Sequence, residues 1–350
     1  MSSVTGALRK HKYLCLLALT VILIAAAVLS LSLGRYSMDW VALASQLPLL
    51  WELGPDAVLE ASTALSVFFT MRLPRILIAA LIGAGLAGAG AAFQGIFKNP
   101  MASPDLLGAS AGAGFGAAVA ILLGGGAALL EISAFAFGVV AVVCAYTLSR
   151  VIGRSMSGVL TLILSGMVIA NLFQALISAA KYMADPNSTL PEITFWLMGG
   201  LSRATLDNLP WLVIAFAVGC IGLMALRWRV NVLALGDEEA MALGVNVSLS
   251  RRLVIAFATL LTSAATAVAG MVGWVGLIIP HLARAIVGSD NRYVIPASML
   301  LGGTFLLLVD DLCRSLYTTE VPLSILTSII GVPLFIYLIS RMRGGAHHSR

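Results

Sequence analysis

Few side chains in this 350-residue chain could do catalytic or redox chemistry. Three of its four histidines lie in the polar ends of the sequence, which leaves His281 alone in the body of the chain. A lone imidazole makes a poor metal site, so we predict a structural or gating role for His281 beside Pro280. The four cysteines are far apart, lie in apolar runs and form no C-x-x-C pair: Cys15, Cys144, Cys220 and Cys313. They indicate buried packing thiols and no metal-binding or catalytic cluster.

Groups that would supply energy for transport are also missing. A P-loop needs a Gly-Lys-Ser/Thr run to hold phosphates, and no lysine here follows a glycine, so the chain is not a self-contained ATPase. A proton- or sodium-coupled carrier usually needs an acidic side chain within the membrane. The central turns of the apolar segments contain no Asp, Glu, Lys or Arg. Energy for any transport must therefore come from a separate chain.

The elements that must position any site are membrane helices. Hydrophobic residues make up 60% of the chain and charged residues 11%, and the mean hydropathy is +1.00. These values exclude a soluble enzyme, a nucleic-acid-binding protein and a disulfide-stabilised secreted module. We predict an all-α, polytopic integral membrane protein with about ten transmembrane helices in a single domain over residues 1–350. The predicted spans are 14–33, 73–97, 106–125, 127–148, 158–180, 209–226, 253–273, 275–287, 293–310 and 322–340.

Two of these spans depart from an ordinary transmembrane helix. The basic segment before residues 14–33 resembles the start of a signal peptide. Twenty apolar residues, however, exceed the usual length of a signal peptide's apolar region, so we predict an uncleaved first helix. Residues 275–287 are too few to cross a membrane comfortably. They follow a glycine-rich stretch and contain Pro280, which is typical of a broken helix inside a transporter.

The charges predict which side of the membrane each end occupies. If the N-terminus is cytoplasmic, 15 of the 21 Lys and Arg residues fall on the inner side and six on the outer side. Five of the 16 acidic residues, including Asp105, also fall inside, so the net charge is +10 inside and −5 outside. This distribution satisfies the positive-inside rule, and both the N- and C-termini are therefore expected in the cytoplasm.

The longest polar segment on the predicted inner side, about residues 227–252, contains a candidate docking helix. Its candidate residues are Leu235, Gly236, Asp237, Glu238, Ala240, Leu243 and Gly244. Gly236 and Gly244 bracket the helix, and Asp237 and Glu238 suit the dipole at its N-terminus. The leucines and the alanine form an apolar stripe. This segment could dock a partner protein or could be an ordinary connecting loop.

Several stretches together resemble the permease subunits of ABC importers for iron-siderophore complexes, haem and cobalamin. They cover almost the whole chain: MRLPRILIAALIGAGLAGAGAAFQGIFKNPMASPDLLGASAGAGFG, VLALGDEEAMALGVNV, GWVGLIIPHLARAIVGSDNRYVIPASMLLGG and VPLSILTSIIGVPLFIYLI. The resemblance implies a transport subunit of the inner (plasma) membrane, surrounded by lipid, that is not an enzyme and needs neither cofactor nor metal. It also implies a homodimer with its pathway on the two-fold axis, two cytoplasmic ABC ATPase subunits and an extracytoplasmic substrate-binding protein.

The resemblance also assigns roles to single residues. The helix between Gly236 and Gly244 matches the coupling helix that inserts into a cleft of each ATPase. Arg72, Arg75 and Arg314 match arginines that pair with glutamates of the binding protein; interfacial snorkelling is the alternative. Exposed pairs of this kind contribute about 0.2–1 kcal/mol each, so single Arg→Ala substitutions should be mild.

The pathway candidates are uncharged polar residues in the predicted helices. They are Gln94, Ser165, Asn171 and Gln174. The glycine-rich runs 83–95 and 108–116 either pack helices closely or shape a wide pathway for a bulky substrate. The expected substrate is an iron chelate, either a siderophore complex or haem, with cobalamin as the alternative. A secondary carrier or channel is the alternative from a different functional class.

Overall fold

The computed structural model describes residues 2–34, 40–46, 48, 62–152 and 158–345, and every regular element within these ranges is helical. We number the helices α1 to α13 in chain order. They are α1 Ser2–Ser32, α2 Trp40–Gln46, α3 Thr63–Phe97, α4 Ala109–Leu122, α5 Ala127–Ile152, α6 Gly158–Met183, α7 Thr189–Leu197, α8 Leu209–Leu235, α9 Asp237–Ala242, α10 Val247–Ala269, α11 Val275–Val287, α12 Asn291–Ser315 and α13 Leu323–Gly345.

The prediction of an all-α membrane protein is confirmed. Within the described residues, seven helices are long and apolar enough to cross a membrane. Three shorter apolar helices occupy the remaining predicted spans, namely Ala109–Leu122, Val275–Val287 and Leu323–Leu338. The cytoplasmic location of the two termini stays a prediction.

Two long helices continue beyond the apolar segments that predict them. α8 runs on to Leu235 and α10 starts at Val247, so only residues 236–246 remain of the polar segment predicted at about 227–252. No glycine or proline interrupts the chain between Arg227 and Leu235, and nothing stops the helix before Gly236. The N-terminus of α10 is capped by Asn246, whose side chain accepts the N–H of Leu249 at 2.9 Å.

Glycines join the central helices through close backbone contacts. α3 is buried along most of its length. A Cβ atom on Gly83 would collide with the backbone of Gly302 in α12, and one on Gly90 would collide with the backbone of Gly276 in α11. Glycine lets these backbones approach one another. Close packing therefore explains both of these positions in the run 83–95.

α4 and α11 begin inside the bundle. Gly276, in the first turn of α11, lies directly against Pro104 and the carbonyl oxygen of Leu86. Leu86 precedes the end of α3 at Phe97 by eleven residues, which is about 16 Å along the helix axis. Residues 98–108 therefore turn back into the bundle before α4 begins. The sequence predicts such a break for 275–287 but misses the one before α4.

The histidine in the body of the chain packs within the bundle, whereas the four cysteines differ in burial. His281 Nδ1 lies 2.8 Å from the carbonyl oxygen of Leu277, and its ring meets Phe335 edge-on with centroids 6.0 Å apart. Cys313 is buried, whereas Cys144 is exposed on α5. The prediction of buried thiols is therefore wrong for Cys144, because an exposed apolar position on a membrane helix faces lipid or another subunit.

Candidate functional sites

Arg75 is held between two carboxylates at one end of the bundle, which we call the Arg75 end. Its guanidinium donates to both carboxylate oxygens of Asp310 in α12, each at 2.8 Å. It also donates to Glu320 at 2.7 and 3.0 Å. The side chains of Arg75 and Asp310 are only 13% and 4% exposed. This contact is therefore a buried, bidentate ion pair.

Arg314 and Arg72 connect α1 to the same cluster. Arg314 pairs with Asp311 and donates to the carbonyl oxygen of Ser30 at 2.7 Å. The Ser30 hydroxyl donates to Asp311 at 2.6 Å. Arg72 donates to the carbonyl oxygen of Leu31. These bonds tie the ends of α1, α3 and α12 together.

The three arginines predicted to dock a binding protein thus lie together, but the expectation that they are exposed is wrong. Each bonds a carboxylate or a backbone carbonyl of its own chain. Their charges are balanced by three acids of the same cluster, namely Asp310, Asp311 and Glu320. A cavity of about 250 Å³ opens beside them, and all three arginines and Glu320 line it. Their docking role stays a prediction.

α9 lies at the opposite end of the bundle, which we call the α9 end. Its bounds, Asp237–Ala242, fall between the two glycines that predict them. Gly244 has a φ of +76°, and its N–H donates to the carbonyl oxygen of Met241 at 2.9 Å. This left-handed conformation favours glycine, so Gly244 ends the helix as the sequence predicts.

α9 has a buried side and an exposed side. Ala240 is fully buried, whereas Leu235, Met241 and Leu243 are 63%, 59% and 57% exposed. The predicted apolar stripe is therefore divided, because Ala240 anchors the helix to the protein and the leucines face outward. Met241, which the sequence analysis missed, adds to the exposed apolar surface. Asp237 is ion-paired with Arg251 at 2.8 Å, which fixes the start of α9 to α10.

Asp290 fixes the helix that leads into α9. Asn231 of α8 donates to the Asp290 carboxylate and accepts the N–H of Asn291 at 2.7 Å. Arg292 pairs with Asp290 at 2.8 Å. Burial raises the pKa of Asp290, but the hydrogen bonds from Arg292 and Asn231 outweigh it and lower the pKa to about 2. Asp290 is therefore ionised at neutral pH.

The four pathway candidates divide into two pairs. Asn171 and Gln174 lie on the exposed face of α6. Gln94 and Ser165 are only 4% and 2% exposed. Gln94 donates to a backbone carbonyl of α11 at 3.1 Å and accepts from Arg284, so packing within the chain occupies its amide. Of the four, Asn171 and Gln174 are thus the two with exposed side chains, and the pathway role of all four stays a prediction.

The sequence matches the model of the FecCD transport family over residues 16–341. The chain belongs to this family. It is 40% identical over 332 residues to the molybdate import system permease protein MolB of Haemophilus influenzae, covering 94% of this chain and 96% of that protein. It is 37% identical over 285 residues to a "Probable iron chelatin transport system permease protein" of Helicobacter pylori, covering 81% and 86%.

A solved structure confirms the FecCD fold. It is described as an inward-facing conformation of a metal-chelate type ABC transporter, and it superposes on this chain with a TM-score of 0.81 at 39% identity. The match covers 93% of this chain and 98% of that one. This chain is therefore a multi-pass membrane permease of an ABC importer, located in the inner membrane, in a family of non-catalytic transport subunits.

The chain also contains a carboxylate, Asp105, that the charge pattern of the sequence misplaces. Asp105 accepts a hydrogen bond from Ser110, and the Ser110 hydroxyl lies 3.3 Å from that of Thr266 in α10. Its neighbour Pro104 packs in the middle of the bundle, so the assignment of Asp105 to an inner polar segment is wrong. Pro104 and Gly108, which bound a short 3-10 helix over Pro104–Leu107 that contains Asp105, are the signal that could have located it. Family membership, and not a lack of acids, therefore argues against a coupled carrier.

Proposed function

We propose that this permease moves an iron chelate, a siderophore complex or haem, across the inner membrane from an extracytoplasmic binding protein. It works as a homodimer, and two separate ABC ATPase subunits on the cytoplasmic side supply the energy. The observation that carries this proposal is the capped helix α9, whose exposed apolar side chains suit insertion into a partner's cleft. Leu235, Met241 and Leu243 form this coupling surface.

The orientation of the two ends in the membrane is inferred from the charge distribution. With the N- and C-termini in the cytoplasm, the positive-inside rule is satisfied, and the α9 end faces the ATPases. The Arg75 end then faces the binding protein. The two partners thus bind opposite ends of one bundle, and the buried helices α3 and α12 link these ends.

Docking of the binding protein proceeds by exchange of carboxylates. The cavity of about 250 Å³ at the Arg75 end accommodates an incoming acidic side chain next to the three arginines. Glu320 is the acid that such a side chain displaces, because its side chain is 36% exposed whereas that of Asp310 is 4% exposed. Since each new ion pair replaces an existing one, these contacts fix how the binding protein is aligned on the permease more than they increase the net affinity.

The substrate pathway lies between the two α6 helices of the homodimer. Asn171 and Gln174 line it with uncharged amides, which can contact a large chelate without holding it tightly. A molybdate-like oxyanion is the second candidate substrate, favoured by the 40% identity to MolB over 94% of this chain. Cobalamin is a third possibility implied by the family resemblance.

Reconstitution with the cognate partners tests these proposals. Proteoliposomes containing the permease and its ATPase would receive the binding protein loaded with a ferric siderophore, haem, cobalamin or molybdate. We expect ATP-dependent uptake of an iron chelate. Uptake of molybdate alone would support the second candidate. Uptake that persists without ATP and follows an ion gradient would contradict an ABC importer and support a secondary carrier.

A further inference from the structure

A large basic pocket lies at the α9 end, next to the candidate coupling helix. Its volume is about 850 Å³, and it is formed by the end of α5, the first turns of α6 and α10, and α9. The polar side chains in its lining include Tyr146, Ser149, Arg150, Asn246, Arg251 and Arg252. Of these residues, Arg251 also fixes the start of α9 through Asp237, and Met241 of the coupling surface lines the pocket as well. The other polar residues named here have no role in the transport mechanism proposed above.

The charges in this pocket are unbalanced, unlike those at the Arg75 end. Arg150, Arg251 and Arg252 face a single lining acid, Asp237, which pairs with Arg251. Within the described part of the chain, Arg150 and Arg252 have no carboxylate within 4 Å. The pocket therefore has a formal charge of +2 from its lining.

The arginines are also positioned by neutral groups. Two nitrogens of Arg150 donate to the Tyr146 hydroxyl at 3.1 and 2.7 Å, and the guanidinium lies 5.3 Å from the centre of that ring. Arg252 Nε donates to a backbone carbonyl at 3.3 Å. Among the described residues, Arg251 Nε is buried and has no hydrogen-bond partner. Such a donor is costly unless a ligand or water satisfies it.

Phosphate oxygens suit this arrangement. Guanidinium groups bind phosphate with charge-assisted, paired hydrogen bonds, and the serine hydroxyl can add a further donor. Apolar side chains continue from the pocket along the membrane helices, since Val143, which lies two turns before Arg150 on α5, is 56% exposed and Leu160 on α6 is 46% exposed. A free phosphate ion would not use this apolar surface, whereas acyl chains would.

We propose that the pocket binds the phosphate group of an anionic phospholipid. Basic pockets between membrane helices on the cytoplasmic side are suited to such headgroups. Because Arg251 contacts both the pocket and Asp237, the lipid also stabilises the position of α9. This second effect, on coupling, rests on the proposed function, whereas lipid binding itself does not.

Lipid binding is tested on the purified permease alone in nanodiscs. Discs of phosphatidylcholine would be compared with discs containing phosphatidylglycerol or cardiolipin, and the lipid retained by the protein would be quantified by native mass spectrometry. We expect selective retention of anionic lipid. Since one basic residue near an anionic surface is worth about a five-fold change in affinity, Arg150→Gln with Arg252→Gln should weaken binding about 25-fold.

Matched variants separate a pocket from general surface charge. Arg229→Gln removes one exposed positive charge at the α9 end outside the pocket, and we expect it to leave retention unchanged. Arg150→Lys with Arg252→Lys retains the charge and should restore most of the binding, which excludes misfolding as the cause of the loss. Inorganic phosphate added to the discs should not displace the lipid.

Three results would overturn the proposal. These are equal retention of phosphatidylcholine, unchanged retention in the double glutamine variant, and full displacement by inorganic phosphate, which would indicate a soluble ligand. If Arg150→Gln with Arg252→Gln retained its lipid but no longer assembled with the ATPase, the occupant of the pocket would be an acidic surface of the ATPase. Failure of the complete transporter to hydrolyse ATP would refute the proposed function and leave the lipid measurement valid.

Discussion

Replacing Arg75 by Gln should destabilise the permease strongly, although the residue lies at the end of a helix. The substitution leaves Asp310, a 4% exposed carboxylate, without either of its two 2.8 Å hydrogen bonds from arginine. Removing one partner of a buried ion pair costs about 3–5 kcal/mol, because the remaining charge stays desolvated. The double variant Arg75→Gln with Asp310→Asn removes both charges and should recover most of this loss.

Unfolding by SDS in mixed micelles, followed by loss of helical signal, would measure these differences in the free energy of unfolding. Arg203→Gln is the matched control, because Arg203 pairs with Glu192 at 3.1 Å but both side chains are about half exposed, at 51% and 49%. We expect this control to lose less than about 1 kcal/mol. If Arg75→Gln lost as little free energy of unfolding as Arg203→Gln, the arginines of the Arg75 end would be exposed, snorkelling side chains. The argument from burial would then be refuted.

Three further substitutions probe the partner surfaces and the α9 end. Gly244→Arg should leave the protein inserted but abolish substrate-stimulated ATP hydrolysis, because φ of +76° disfavours arginine and a charge would disturb the coupling surface; undiminished stimulation would contradict the assignment. Glu320→Gln should increase the affinity for the binding protein in titrations, because an incoming carboxylate no longer has to displace Glu320 from the arginines. Weaker binding would contradict the proposed exchange of carboxylates. Asp290 has a depressed pKa of about 2, so the stability that it contributes should be lost as the pH falls from about 4 to about 2. Asp290→Asn should remove this pH dependence of unfolding. If the unfolding midpoint of the variant fell as much as that of the wild type between about pH 4 and about pH 2, Asp290 would not be the cause.

Much of the fold follows from hydropathy alone. The ten apolar segments correspond to helices because the membrane requires each backbone to satisfy its own hydrogen bonds. The bounds of α9 were also predictable, since glycine at 236 and 244 limits a short segment with acids at its start. By contrast, hydropathy does not say where a helix ends in water. α8 therefore extends nine residues, about two and a half turns, beyond its apolar segment.

The sites were less predictable, because pairing depends on contacts between distant parts of the chain. Arg75 and Asp310 are 235 positions apart, and nothing in the local pattern indicates that they meet. The position of Asp105 depends on a segment that turns back into the bundle, which composition does not reveal. The sequence thus identified the arginines of the Arg75 end but not the acids that neutralise them.

The most direct test of the proposed function is ATP hydrolysis by the reconstituted permease–ATPase complex, measured with and without substrate-loaded binding protein. We expect hydrolysis to rise when the loaded binding protein is added and the Gly244→Arg variant to lose this rise. A rate of ATP hydrolysis that does not change when the binding protein is added, or transport that continues without any ATPase chain, would contradict the proposed function.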